Sequence, residues 1–171
     1  TGLRITELSA DVTTFVEGRL LDYDANVLLR FDNGAKGVLH CSQISAGEEN
    51  ALNIRVYGEL GGIQWHQHDP NTMYVIWLDK PMEVYRTGQG YMGSMAVAHT
   101  RTPAGHPEGY LEAFGNIYRN FAKVVQSRLD GQDPDPNYLD FPTVEDGVRG
   151  MKFIDAVIAS GENNAEWTKI D

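Results

Sequence analysis

Ala25-Asn26-Val27-Leu28-Leu29-Arg30-Phe31-Asp32-Asn33-Gly34-Ala35-Lys36-Gly37-Val38-Leu39-His40-Cys41-Ser42-Gln43-Ile44 is the stretch on which the fold turns. Two apolar runs, 25–31 and 36–44, flank Asp32-Asn33-Gly34-Ala35. Asn-Gly between such runs is a strong short-range hairpin signal, and the spacing predicts a type I′ turn, in which both central residues take positive φ. Upstream, residues 5–16 are rich in β-branched types (Ile5, Thr6, Val12, Thr13, Thr14, Val16), which suit a pleated, half-buried surface. Downstream, strands are expected at 52–57, 63–67, 73–78 and 82–86, punctuated by Gly58, Gly61-Gly62, Asp69-Pro70-Asn71 and Asp79-Lys80-Pro81. Consecutive strands with short connections favour an antiparallel meander.

Residues 87–106 are glycine-rich (Gly88, Gly90, Gly93, Gly105), show no clear period and read as a long loop. Pro107 then suits the first turn of a helix, with Glu108 near its positive end. Leu111, Phe114, Tyr118, Phe121 and Val125 alternate at steps of three and four, so one face of this helix is apolar. It is expected to stop near Gly131, before Asp133-Pro134-Asp135-Pro136. A second helix is predicted from Thr143 as N-cap, with Asp146 completing a capping box and a buried stripe of Val144, Val148, Met151, Ile154 and Ile158. It ends at Gly161, and 165–170 read as a last short strand. The expectation is an α+β fold, one domain over 1–171, in which a large, mostly antiparallel open sheet carries two main helices on one face. Apolar residues at both strand parities (Val27, Leu29 and Phe31 against Leu28; Ile76 beside Trp77) leave the second face to pair with another subunit as a homo-oligomer.

The chain has 171 residues, 42% hydrophobic and 22% charged, with Trp65, Trp77 and Trp167 spread along it, which argues against disorder. Its net charge of −10 and lack of a basic run provide no footprint for nucleic acid, and no Lys/Arg-rich amphipathic stretch addresses an anionic membrane. Cys41 is the single cysteine, so no internal disulfide forms and a reducing, cytoplasmic location is expected. Mid-strand and without a basic neighbour, it reads as a buried structural residue. The opening Thr1-Gly2-Leu3-Arg4 has no initiator Met and reads as a fragment or processed product.

Gly88-Gln89-Gly90-Tyr91-Met92-Gly93 matches the G-x-G-x-x-G dinucleotide pattern, but Pro103 arrives too soon for the helix of a βαβ unit. No cofactor site is assigned to it. His66 and His68 would share a strand face, with no third ligand to complete a metal site. Asp133–Asn137 lacks the glycine and terminal Glu of a calcium loop and reads as a connector. Ser42 and Ser94 lack a nucleophile elbow. The most informative stretch is Arg101-Thr102-Pro103-Ala104-Gly105-His106-Pro107-Glu108-Gly109-Tyr110, which brings Arg, His, Glu and Tyr to a helix start, a set suited to gripping hydroxyls. Equally, His106 caps the helix and Glu108 answers its dipole; residue physics leaves both open.

Leu21-Asp22-Tyr23-Asp24 through Gly37, Gly47-Glu48-Glu49-Asn50, Ile54-Arg55-Val56-Tyr57-Gly58, Gly105–Tyr110 with Ala113-Phe114, and Asp146-Gly147-Val148 together resemble the C-terminal domain of the glucose–fructose oxidoreductase and inositol dehydrogenase (Gfo/Idh/MocA) family. The resemblance covers nearly the whole chain in the family's order. It implies a parent NAD(P)-dependent oxidoreductase of sugars or polyols, with NAD or NADP held mainly by an N-terminal Rossmann domain outside this chain. This part would supply substrate contacts and the subunit interface. The family's Asp and His, one helical turn apart, would lie just upstream of Thr1, so no catalytic residue is assigned here and the isolated chain is expected to be inactive. His106 fits a substrate-pocket residue, with Glu108 and Arg101 as further candidates. The alternatives are a non-catalytic dimerisation or sugar-binding module, and a metal-dependent hydrolase using His66 and His68.

Overall fold

The computed structural model describes residues 2–170. In chain order they form β1 (Ile5–Thr13), β2 (Asp24–Phe31), β3 (Lys36–Ser42), β4 (Asn53–Tyr57), β5 (Gly61–His66), β6 (Thr72–Trp77), β7 (Glu83–Arg86), α1 (Ser94–His99), α2 (Tyr110–Leu129), a 3-10 turn (Pro136–Tyr138), α3 (Val144–Glu162) and β8 (Thr168–Lys169). The fold is α+β with antiparallel strand pairing, as expected. Its hydrogen bonds run in two four-stranded sheets, β3-β2-β1-β8 and β4-β5-β6-β7. The chain divides into two compact units, residues 50–142 and the segments on either side of them.

In the flanking unit the 25–44 hairpin is present, with Val27 opposite Leu39 and Leu28 opposite Val38. Its turn differs from the expected type I′. Gly34 N–H donates to the Phe31 carbonyl at 3.0 Å, and Gly34 (φ +87°) takes the left-handed conformation while Asn33 does not. The Asn33 side chain instead accepts from Ala35 N–H at 3.0 Å, so a longer loop with one left-handed glycine replaces the two-residue turn. The core is Leu8, Ala10, Ala25 and Val27 under Ala156 and Val157 of α3, with Val12, Leu29, Phe153 and Ile170 packed around it. Leu8 and Val27 are nearly inaccessible, each contributing about 1.5–3 kcal/mol of burial.

The helix face that meets the sheet is not the predicted stripe. Val144, Val148, Met151, Ile154 and Ile158 are exposed, and α3 buries Ala156, Val157 and Ser160 instead. Small residues win this face because they let the helix approach β1 closely. A Cβ on Gly161 would stand 3.0 Å from Val12, and Ser160 Oγ reaches the Ala10 N–H at 2.9 Å. The Thr143–Asp146 capping box forms as expected, Asp146 accepting from Thr143 N–H at 2.8 Å and Asp146 N–H donating to Thr143 Oγ1 at 3.3 Å. The backbone and hydroxyl of Thr143, then Arg149, hold the Asp146 carboxyl below its ordinary range. Cys41, expected to be buried, is exposed because β3 is the edge of its sheet.

In the other unit the meander β4–β7 is regular, with Ile54 opposite Trp65, Trp65 opposite Met73, and Met73 opposite Tyr85. The expected loop 87–106 contains α1, a single short helix that buries no residue and so leaves no periodic signal. α2 begins at Tyr110, after Pro107, and ends before Gly131 (φ +67°). Its buried residues are Asn120 and Val124, whereas Leu111, Phe114, Tyr118, Phe121 and Val125 are exposed. Polar side chains make α2's contacts with α1: Arg119 donates to Ala98 C=O at 2.7 Å, Asn116 to His99 C=O at 3.2 Å, and Asn120 Nδ2 to His99 Nε2 at 2.6 Å. The 133–137 segment is a connector, Asp135 accepting from Asn137 N–H at 2.9 Å.

Candidate functional site

The 50–142 unit contains a small polar recess of about 170 Å³ built from three chain segments. The turn after β5 contributes His68, Asp69, Pro70 and Asn71; the end of β7 contributes Arg86 and Thr87; the loop before α2 contributes Gly105, His106 and Pro107. Backbone and side-chain hydrogen bonds hold these segments together. Trp65 Nε1 donates to Pro70 C=O at 3.0 Å, Thr72 N–H to Asp69 C=O at 3.2 Å, and Thr87 N–H to Asn71 C=O at 3.1 Å. Thr72 is buried, and its hydroxyl accepts from Arg86 Nη1 at 3.1 Å, which sets the guanidinium at the sheet end.

The loop before α2 is held as tightly. Glu108 is buried, and each of its carboxylate oxygens lies 2.9 Å from the Arg101 N–H. Its own N–H donates to Asn71 Oδ1 at 2.9 Å, tying the loop to the β5–β6 turn. Gly105 (φ +85°) takes a left-handed conformation that other residues adopt only with strain. His106 N–H donates to Pro103 C=O at 3.1 Å, and Thr102 Oγ1 donates to His106 C=O at 3.1 Å. His106 Nδ1 lies 3.2 Å from the same Pro103 oxygen. A carbonyl can only accept, so Nδ1 is the donor in this contact, and in the Nδ1–H tautomer Nε2 is an acceptor.

The three residues singled out from the sequence therefore divide. His106 lines the recess. Glu108 and Arg101 do not: the Glu108 carboxylate is taken up by the Arg101 backbone, and the Arg101 side chain donates to Asn116 Oδ1 at 2.5 Å. They order the loop that presents His106. Glu112 closes the start of α2 by accepting from Gly109 N–H at 2.9 Å, which lowers its carboxyl below the ordinary range. Asn71, Arg86 and Thr87 carry no sequence signal beyond turn and strand-end punctuation, and the sequence reads His68 only as a candidate metal ligand beside His66.

The other motifs resolve simply. Gly88–Gly93 leads into a six-residue helix, and no parallel strand pair occurs among the described residues, so it does not form the strand–turn–helix seat of a dinucleotide. Gly88 (φ +76°) instead lies against Ala104, where a Cβ would meet the backbone nitrogen at 2.8 Å. His66 ends β5 with Nδ1 on Asn53 Oδ1 and Nε2 on the Gln64 amide, while His68 lies in the turn beyond, so the two histidines do not share a strand face. Among the described residues no three His, Cys, Asp or Glu side chains converge as metal ligands, and no helix is long and apolar enough to cross a membrane.

Residues 1–64 match the family model described as the GFO/IDH/MocA C-terminal domain. The "Uncharacterized oxidoreductase YfiI" of Bacillus subtilis is 30% identical over 168 residues, 98% of this chain and 43% of that protein. By that model and this match the chain is similar to the C-terminal domain of the GFO/IDH/MocA family. A solved oxidoreductase from Sinorhizobium meliloti superposes with a TM-score of 0.93 at 42% identity, over 98% of this chain and 47% of that one. A solved inositol dehydrogenase homolog from Azotobacter vinelandii, in complex with NADH and myo-inositol, gives 0.89 at 29% identity, over 98% of this chain and 45% of that one. The chain thus spans less than half the length of these relatives.

Proposed function

We propose that this chain is the C-terminal substrate-binding and subunit-pairing domain of a cytoplasmic NAD(P)-dependent oxidoreductase acting on a sugar or polyol. The observation that carries the reading is the recess at His106. It combines an acceptor imidazole nitrogen, a carboxylate, an amide, a hydroxyl and a guanidinium within about 170 Å³. A vicinal polyol needs such a mixture, since each hydroxyl both donates and accepts. The solved relative holding NADH and myo-inositol supports the same chemistry. The reaction class is oxidation of a carbinol to a carbonyl: two electrons leave as hydride to the nicotinamide, and the hydroxyl proton goes to a base. This chain's share is orientation, with His106 Nε2 accepting from a substrate hydroxyl.

Subunit pairing is assigned to the sheet face carrying Leu28 and Val38, which are cross-strand neighbours and both exposed. A non-catalytic sugar-binding or dimerisation module is the alternative. Steady-state kinetics of the full-length parent with NAD or NADP and a panel of polyols separates the two. Turnover is expected in the parent and none from residues 1–171 alone. His106→Ala is expected to raise KM or lower kcat several-fold while leaving the melting temperature within a few degrees. Wild-type kinetics in that variant, or no cofactor-dependent turnover in the parent, defeats the proposal.

A further inference from the structure

We infer that the substrate carries an anionic group, a carboxylate or a phosphate, that pairs with Arg86; the inference rests on the recess being the substrate site. The chain carries 24 Asp and Glu against 14 Lys and Arg, so acidic partners are plentiful. Arg30 pairs with Glu7 and Arg149 with Asp146. Arg86 has no carboxylate within 4.0 Å among the described residues, although Asp69 lines the same recess. Its guanidinium is nonetheless fixed, one N–H group being committed to the buried Thr72 hydroxyl at 3.1 Å.

A guanidinium has five donors and no acceptor, in a planar fork that matches the two oxygens of a carboxylate or two of a phosphate. With one donor committed to Thr72, the remaining donors meet no carboxylate among the described residues. A neutral polyol would engage them one hydroxyl at a time. An anion engages two together, and charge assistance roughly doubles the strength of each bond. Asp69 and His106 Nε2 then remain as acceptors for hydroxyls. A polyhydroxylated acid uses both halves of the lining, whereas a neutral sugar brings no counter-charge to the guanidinium.

The test compares twin substrates in the full-length parent: D-gluconate with D-sorbitol, and D-glucose 6-phosphate with D-glucose. Wild-type kcat/KM is expected to favour at least one anionic member over its neutral twin by about tenfold or more, the two arms distinguishing carboxylate from phosphate. Arg86→Gln is expected to remove that preference chiefly through KM, lowering kcat/KM for the anionic member about tenfold more than for its neutral twin, and Arg86→Lys to restore part of it. The preference is also expected to shrink as salt is raised, because Arg86 is accessible to solvent. Preference for the neutral twins, or an equal loss for both members in Arg86→Gln, overturns the inference while leaving the polyol reading intact. If no polyol is oxidised with either nicotinamide cofactor, that reading falls first. Calorimetric titration of the parent with D-gluconate and D-glucose 6-phosphate then decides the anion separately, and binding of neither, or unchanged binding in Arg86→Gln, overturns it.

Discussion

Removing the Glu108 side chain is expected to loosen the His106 loop by a measurable amount. In Glu108→Ala the Arg101 N–H loses a carboxylate held at 2.9 Å from each oxygen. A hydrogen bond to a charged, buried partner contributes about 1.5–3 kcal/mol. Opening of residues 101–107 would therefore become roughly 10–100 times more frequent, since each 1.4 kcal/mol is a factor of ten. Glu108→Gln keeps one acceptor oxygen and loses the charge assistance, so about 1 kcal/mol and a correspondingly smaller acceleration are expected. The Asn71 bond uses the Glu108 backbone N–H and survives both changes. Amide hydrogen exchange of the full-length parent reads the effect directly, with polyol KM as the functional companion. Unchanged exchange at 101–107 in Glu108→Ala would refute the clamp. Equal effects of Ala and Gln would show that the charge plays no part.

Ser160→Ala is expected to cost about 1–3 kcal/mol, because it strands the buried Ala10 N–H that Ser160 Oγ satisfies and also removes the 2.7 Å donation to Glu166 C=O; denaturant unfolding of the parent checks this. Stability is expected to fall in acid through the capping carboxylates Glu112 and Asp146. Their folded pKa values lie below the ordinary 4.5 and 3.8, so their contribution is complete above those values and is lost as pH falls through the depressed ones. Melting temperature against pH should show this decline, and Asp146→Asn should flatten its part of it. Gly88→Ala places a Cβ 2.8 Å from the Ala104 nitrogen at φ +76°, and a loss of about 2 kcal/mol with a raised polyol KM is expected. Full stability in that variant would mean the loop yields without strain.

Much of this protein was legible in its residues because much of it is local chemistry. Every expected strand is present to within a few residues, since β-branched runs bounded by Gly, Pro, Asn and Asp act through nearest neighbours. The Thr143–Asp146 cap needed only four residues to be read correctly. The GFO/IDH/MocA resemblance was likewise carried by short motifs in order. His106 was singled out because its loop ends at a helix start, and it does line a recess.

What tertiary structure decided was which face, which turn and which partner. Periodicity marks a stripe of large apolar residues on α2 and α3 but does not know that small residues, or an amide such as Asn120, allow closer approach. The hairpin dipeptide announced a turn, while its loop length and single left-handed glycine were settled by the strands it joins. Glu108 and Arg101 read from the sequence as substrate ligands; the folded chain bonds the Glu108 carboxylate to the Arg101 N–H and one Arg101 guanidinium group to Asn116, and neither residue is in the lining of the recess. His68, Asn71, Arg86 and Thr87 come from turns and a strand end distant in sequence from His106, and only the folded chain brings them to one recess. Residue type and spacing determined the elements; the competition for buried hydrogen bonds and close packing determined the site.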